Sequence, residues 1–130
     1  MSKNIIDTNL IIRFLLNDDA QKASKVEKIL FSKDQLNVLP DLVVGEIIWV
    51  LSSFYKLPKL RIIENIRSLL NAKSISSNKV LLNKTLLVWE KHNIDFIDSY
   101  IAAVAQLKNP TVYSYDNDFS KIKSIKRKEP

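Results

Sequence analysis

The chain of 130 residues contains no cysteine, one glycine and one histidine. Without cysteine there are no disulfides, thiolate zinc sites or cysteine nucleophiles. No repeat, low-complexity stretch or flexible linker interrupts the sequence. No apolar run is long enough to span a bilayer, and no signal peptide precedes the first strand-like segment. We therefore expect a cytoplasmic protein that does not enter a membrane, folded as one domain over residues 1–130.

The charge of the chain is strongly positive, with a formal net charge of +6. Residues 121–130 form a basic C-terminal tail in which five basic residues stand against Glu129, a balance of +4. A basic exterior is suited to a polyanionic partner such as nucleic acid, although lysine-rich surfaces also serve solubility alone. The net charge alone therefore neither establishes nor excludes nucleic-acid binding.

Apolar periodicity predicts short strands that alternate with helices. The predicted strands are residues 3–6, 35–39, 74–76, 111–115 and 124–126. The predicted helices are residues 9–16, 20–32, 41–54, 58–70, 78–92 and 95–107. Asp18 and Gln21 resemble a capping box, and Asp41 is a candidate cap. Such alternation predicts an α/β fold with a parallel sheet covered on both faces. Trp49 and Trp89 are expected in the core or at an interface.

The acidic residues have unusual sequence surroundings, because several stand alone inside or directly after apolar runs. These are Asp7, Glu46, Asp98 and the pair Asp116 and Asp118. A buried, ionised carboxylate is costly unless it is paired, protonated or bound to metal. Several such groups in one small domain predict a shared counter-charge, for which a divalent cation is suitable. Hard oxygen ligands without cysteine or paired histidine favour Mg²⁺ or Mn²⁺.

The predicted topology can bring these acids together. Asp7 follows the first strand, Asp116 follows a late strand, Asp98 opens the preceding helix, and Glu46 lies one turn into the helix after the second strand. Ligands of open parallel sheets gather at the carboxyl ends of the strands. Each acid also has a structural alternative. Asp7 and Asp116 can cap a helix or turn, Asp98 can stand behind the cap Asp95, and Glu46 can pair with a lysine.

The ordered set of motifs resembles the PIN-domain nucleases, and within them the VapC-type toxins of toxin–antitoxin pairs. The resemblance rests on Asp7-Thr8-Asn9, on Glu46 in its helix, on the segment 95–103 around Asp98, and on the segment 114–119. It covers nearly the whole chain.

The resemblance implies a three-layer α/β/α fold with a central, mostly parallel sheet of about 4–5 strands. It also implies a metal-dependent endoribonuclease that cleaves tRNA, rRNA or mRNA. Asp7, Glu46, Asp98 and Asp116 match the family's acidic quartet, and Asp118 matches a frequent additional acid. Asn9 and Ser114 match polar residues that orient the acids. A cognate antitoxin and a homodimer are the implied protein partners.

Three other protein classes are alternatives to the nuclease. Haloacid-dehalogenase phosphatases need an aspartate two residues after the nucleophile, where this chain has Asn9. Response-regulator receivers need adjacent acids after the first strand, where Asp7 stands alone. A non-catalytic domain that binds RNA or a protein partner would use the acids only for structure. The single histidine, His92, is expected at a helix end and outside the site.

Overall fold

The computed structural model describes residues 2–130, and short strands alternate with helices along this part of the chain. These residues form two compact units, one ending at Lys79 and the other spanning Val80–Pro130. Each unit has its own sheet. Within residues 2–130, no helix combines the length and the apolar character needed to cross a bilayer.

The first unit is built on a sheet of three parallel strands in the order β1-β2-β3. The strands are β1 (Ser2–Ile5), β2 (Gln35–Val38) and β3 (Ile75–Ser76). The helices between them are α1 (Thr8–Leu16), α2 (Ala20–Leu30), α3 (Asp41–Trp49) and α4 (Lys59–Asn71). Ile5 pairs with Val38, and Val38 pairs with Ser76. Because parallel neighbours need long crossovers, helices connect each strand to the next.

Branched aliphatic side chains form the core of the first unit. Helix α4 shows the pattern clearly: Ile62, Ile63, Ile66, Leu69 and Leu70 are all buried. Their spacing places them on one face of a helix with 3.6 residues per turn. Burial of each such side chain contributes about 1.5 to 3 kcal/mol to folding before the entropy cost is counted. The apolar face of α4 therefore holds this helix in the unit.

Two helix starts differ from the sequence prediction. Asp19, and not Asp18, caps α2, because its Oδ1 accepts a hydrogen bond of 3.1 Å from the backbone N–H of Lys22. Asp18 instead forms an exposed ion pair with Arg13. The predicted capping box of Asp18 with Gln21 is therefore wrong. Asp41 is not a cap either, because it lies in the first turn of α3.

The predicted helix over residues 41–54 changes its winding near the middle. It is α-helical as far as Trp49 and continues as a π-helical segment, Val50–Phe54. The Ser52 hydroxyl donates a hydrogen bond of 2.7 Å to the Ile48 carbonyl oxygen. Serine back-bonding of this kind competes with the regular helical ladder. The wide turn leaves no signal in the sequence, because a single π-helical segment of five residues is too short to show a periodicity of its own.

The second unit contains two helices and a small parallel sheet. The helices are α5 (Lys79–Lys91) and α6 (Phe96–Lys108), and the strands are β4 (Thr111–Tyr113) and β5 (Lys126–Lys128). A 3-10 helix, Asn117–Lys121, lies between the strands. The core contains side chains from both helices, β4 and the 3-10 segment: Val88, Ala102, Ala105, Val112, Phe119 and Ile122. The small alanines of α6 allow close packing there.

The α/β class and the parallel strand direction are confirmed. Within residues 2–130, strand pairing joins β1, β2 and β3 in the first unit, and β4 and β5 in the second. The last strand begins at Lys126, because Ser124 turns the chain with a positive φ of 66°. The segment predicted as a tail is thus partly folded.

The two tryptophans differ in their environments. Trp89 is buried and packs edge-on against Phe96, with ring centroids 5.7 Å apart. Trp49 is 65% exposed, so it does not belong to the core. A helical face that looks apolar in the sequence can still point outward, and Trp49 lies on such a face.

Candidate acidic site

Asp98 lies in the first turn of α6, directly behind the residue that caps this helix. The carboxylate of Asp95 accepts a hydrogen bond of 2.7 Å from the backbone N–H of Asp98. The Ser99 hydroxyl donates to the Asp95 carbonyl oxygen at 2.8 Å. Free N–H groups at a helix start need such partners, so this cap determines where α6 begins. The Asp98 side chain is half-buried at this position.

Asp116 and Asp118 lie in the turn that follows β4. The Asp116 carboxylate caps the 3-10 helix by accepting a hydrogen bond of 2.8 Å from the backbone N–H of Asp118. The Asp116 backbone N–H donates to the Ser114 hydroxyl at 3.0 Å. Ser114 in turn donates its backbone N–H to the Lys128 carbonyl oxygen on β5. Ser114 therefore ties the acidic turn to the sheet.

The aspartates of the second unit interact electrostatically. Burial raises the pKa of Asp98 above its ordinary value of 3.8, and the negative charges of Asp95, Asp116 and Asp118 raise it further. The starts of α6 and of the 3-10 helix thus bring these carboxylates near one another.

Lys121 is a cation beside this group that the sequence alone does not connect with the acids. Its Nζ lies 3.6 Å from Oδ1 of Asp118, one helical turn earlier.

Asp7 lies in the first unit at the junction of β1 and α1. Its Oδ1 accepts a hydrogen bond of 2.8 Å from the backbone N–H of Thr8, and the residue caps α1. Asp7 and Asn9 are exposed. Thr8 between them is buried, and its hydroxyl has no hydrogen-bond partner within residues 2–130. Nothing in the sequence marks Thr8, because threonine is an ordinary residue at a helix start.

Glu46 occupies the middle of α3 and is exposed. The expectation that its apolar neighbours would bury its carboxylate is wrong. Val44, Ile47 and Ile48 are the residues of α3 that are buried. Successive side chains of a helix point about 100° apart, so a residue beside apolar neighbours can lie on the outer face. Asp7 and Asp116 are also exposed, and Asp98 alone among the quartet is half-buried.

The available donors fit a hard divalent cation. The acids of the second unit offer carboxylate oxygens, and their mutual repulsion would fall if a cation lay among them. Within either unit of the described chain, residues 2–130, no three histidine, cysteine or acidic side chains are grouped closely enough to enclose a metal ion. Asp7 and Glu46 belong to the other unit, so a single site of all four acids stays a prediction.

Comparison with known proteins identifies the family. A sequence profile of the PIN domain matches residues 5–125. Among solved structures, the chain is similar to Mycobacterium tuberculosis VapC20, a sarcin-ricin loop cleaving toxin. The identity is 18%, the TM-score is 0.43, and 92% of this chain and 93% of that chain are covered. No curated protein matches the sequence. The profile match spans nearly the whole sequence and contains all five acidic positions, so this chain belongs to the PIN domain family.

Proposed function

We propose that this protein is a metal-dependent endoribonuclease, a hydrolase of RNA phosphodiesters that acts as the toxin of a toxin–antitoxin pair. The observation that supports this most is the position of Asp98 and Asp116. The backbone N–H of Asp98 donates to the Asp95 carboxylate at the start of α6, and the Asp116 carboxylate accepts from the backbone N–H of Asp118 at the start of the 3-10 helix. The chain that contains them belongs to the PIN domain family. Membership of this family makes phosphodiester hydrolysis the expected chemistry.

The proposed site contains Asp7, Glu46, Asp98 and Asp116. Asp7 and Asp116 are proposed as direct holders of Mg²⁺ or Mn²⁺, because each follows a strand and is exposed. Glu46 and Asp98 would bind the ion directly or through water, or would accept a proton from the attacking water. Asp118 is a further candidate ligand. Asn9 and Ser114 are proposed as positioning residues, with Ser114 acting through its hydrogen bond to the backbone of Asp116.

The protein contributes placement and charge to this reaction, and no covalent nucleophile is needed. When bound, the divalent cation lowers the pKa of water and stabilises the negative charge that develops on the phosphodiester. The carboxylates would hold the ion, and the ion would supply a water able to attack the phosphodiester. The Ser114 and Asp95 hydrogen bonds keep two of these carboxylate-bearing turns in place before substrate arrives. Such preorganisation reduces the cost of assembling the reacting groups.

The proposed protein partners are a second copy of the chain and a cognate antitoxin in the same cytoplasm. The first unit exposes several large apolar residues on α3, on the π-helical segment and at the start of α4: Leu42, Trp49, Phe54 and Leu60. Exposed apolar residues that lie close along the chain are common at protein interfaces. Sedimentation velocity of the wild type and of Trp49→Ser tests the homodimer, which should weaken in the variant.

The experiment that tests the function is cleavage of structured RNA in Mg²⁺ or Mn²⁺. Loss of a group that only supports a metal ligand costs about 10- to 100-fold, so Asp7→Ala, which removes a proposed ligand itself, should lower the rate by about a hundredfold or more. Asp34→Ala is a matched control, since Asp34 is exposed and lies in the turn before β2. Activity that survives excess EDTA, or equal rates for wild type and Asp7→Ala, would contradict the proposal.

A second candidate is a non-catalytic PIN-like domain that binds RNA or a protein. The observation in its favour is that Asp7, Asp95 and Asp116 each have a structural role as the cap of a helix. Binding of RNA that is indifferent to metal and to Glu46→Gln, together with no cleavage, would support this candidate over the nuclease.

A further inference from the structure

A basic cavity lies in the second unit, between α5 and the chain that leaves the 3-10 helix. It has a volume of about 350 Å³, and six of the residues that line it are Lys84, Leu87, Val88, Lys91, Lys121 and Lys123. His92 and Gln106 complete the lining, and none of the lining residues is acidic. In the sequence these lysines are visible only as part of the net charge.

Two elements of the fold place the lysines on this cavity. Lys84 and Lys91 are seven residues apart on α5, two helical turns, so they lie on the same face with Leu87 and Val88 between them. Lys121 and Lys123 flank Ile122, whose side chain is buried in the core of the unit. The Gln106 side-chain amide on α6 donates a hydrogen bond of 3.1 Å to the Lys123 carbonyl oxygen. The cavity is therefore part of the folded unit.

The charge of the cavity indicates the chemistry of its ligand. Four lysines and no acidic residue line the cavity, so its lining has an excess of positive charge that a bound anion would offset, although Lys121 also lies beside Asp118. Lysine is a compact point charge that binds phosphate without demanding one orientation. The volume is at the lower end for small-molecule sites, about 300 to 1,000 Å³, and suits one nucleotide-sized group. The apolar side chains of Leu87 and Val88 offer a surface for the ribose or base.

Lys121 connects the cavity to the acids of the same unit. It lines the cavity, and its Nζ also lies 3.6 Å from the carboxylate of Asp118. The surface thus changes from negative to positive across the Asp118–Lys121 pair. A group of carboxylates by itself repels a phosphodiester, so a nuclease built on such a group benefits from positive charge beside it.

We propose that the cavity of Lys84, Lys91, Lys121 and Lys123 binds a phosphodiester of the RNA strand, next to the acidic residues and apart from the bond that is cleaved. This inference rests on the proposed function, because it takes RNA as the substrate. It assigns the first basic residues of the C-terminal segment to substrate binding. The cavity would hold the strand while a neighbouring phosphodiester lies at the acids.

The test compares two double variants that remove the same charge. Lys84→Gln/Lys91→Gln changes the cavity, and Lys108→Gln/Lys126→Gln changes exposed lysines of the same unit that do not line it. RNA affinity is measured by fluorescence anisotropy in EDTA over a range of salt concentrations. The cavity variant should bind about tenfold more weakly, and its salt slope should fall by about 0.7 per lost phosphate contact. The control should change less than about twofold.

The results of these measurements distinguish RNA binding at the cavity from an effect of overall charge. Equal loss of affinity in both double variants overturns the proposal, because only overall charge would then matter. Calorimetry with inorganic phosphate distinguishes a free anion from an RNA backbone. Phosphate binding that is lost in the cavity variant, with RNA affinity unchanged, identifies a small-anion site and also overturns the proposal. Thermal melts show that both variants fold.

The binding assay and the cleavage assay separate this inference from the proposed function. In Mg²⁺, the cavity variant should raise KM while kcat stays within about twofold, as expected for lost uniform binding. If RNA binds the cavity in EDTA but is not cleaved in the presence of metal, the proposed nuclease function is contradicted and the proposed RNA site is supported. If the cavity variant cleaves RNA with an unchanged KM, the proposed RNA site is contradicted and the proposed nuclease function is still supported.

Discussion

The carboxylate of Asp95 accepts a hydrogen bond from the backbone N–H of Asp98, so the cap of α6 holds a second carboxylate close to the first. The cap stabilises the start of the helix, and the nearby charges raise the pKa of the Asp98 carboxyl together with its burial. The structural role of these acids at a helix start and their chemical role in a charged site are therefore compatible. The same hydrogen bonds that begin a helix also bring negative charges together.

The raised pKa of Asp98 predicts a pH-dependent gain in stability for Asp98→Asn. Well below pH 3.8 the carboxyl is protonated in both the folded and the unfolded wild type, so it contributes no difference. As the pH rises, the unfolded chain loses this proton first, and the folded state becomes relatively less stable. The stability of the variant relative to wild type should therefore be greater at neutral pH than in acid, by about 0.2 to 0.5 kcal/mol, the size typical of like charges one helical turn apart.

Urea denaturation of wild type and Asp98→Asn between pH 3 and pH 7 measures this difference. The variant's stability relative to wild type at pH 3 is the baseline, because the Asp98 carboxyl is mostly protonated there in both the folded and the unfolded wild type. If the difference in unfolding free energy between the two proteins stays constant with pH, or favours wild type more strongly as the pH rises, the raised pKa of Asp98 is contradicted.

The observed caps predict unequal effects for two adjacent aspartates. Asp19→Ala should lower the free energy of unfolding by about 1 kcal/mol, since it removes the side chain that caps α2. Asp18→Ala removes only an exposed ion pair with Arg13 and should cost a few tenths, roughly 0 to 0.5 kcal/mol. Chemical denaturation of both variants at neutral pH compares them. A larger loss for Asp18→Ala would restore the capping box expected from the sequence.

Removal of the Ser114 hydroxyl should slow RNA cleavage through its effect on the turn of Asp116. Ser114→Ala deletes the acceptor for the Asp116 backbone N–H, and the expected loss in kcat is about tenfold, with a smaller change in KM. Ser114→Thr keeps the hydroxyl and should restore most of kcat. If both variants lose activity equally, the hydroxyl is not the group that positions the turn.

Divalent metal should stabilise the wild type more than a variant that lacks a proposed ligand. A ligand at a hundred times its Kd stabilises the folded state by about 2.7 kcal/mol, which shifts Tm upward by several degrees. Scanning calorimetry in Mn²⁺ and in EDTA measures the shift. Asp116→Asn should abolish most of it, whereas Asp34→Asn should keep it. An equal shift in the two variants would point to metal bound elsewhere.

Much of the fold follows from local patterns that a single sequence contains. The helix α5 follows from the helical spacing of its apolar residues, and five residues with that spacing are buried on it: Leu81, Leu82, Thr85, Leu86 and Trp89. The site is harder to predict, because burial depends on which face of an element meets the rest of the protein. Glu46 shows this limit, since its apolar neighbours turn inward while its own side chain is exposed.

Contacts across the chain are a second limit on sequence prediction. The hydrogen bond from Gln106 to Lys123 and the gathering of four lysines on one cavity join residues far apart in sequence. No periodicity connects them, so they entered the sequence analysis only as net charge. The division of five strands into sheets of three and two also depends on pairings that short apolar runs do not specify.

A crystal of the protein soaked in Mn²⁺ tests the central claim most directly, because anomalous scattering locates the ion independently of the protein. The account predicts a manganese peak with carboxylate oxygens of Asp7 and Asp116 within about 2.5 Å, and with Glu46 and Asp98 in its first or second coordination shell. A peak that touches none of these four acids, or none at all in crystals of protein that cleaves RNA in Mn²⁺, would contradict it.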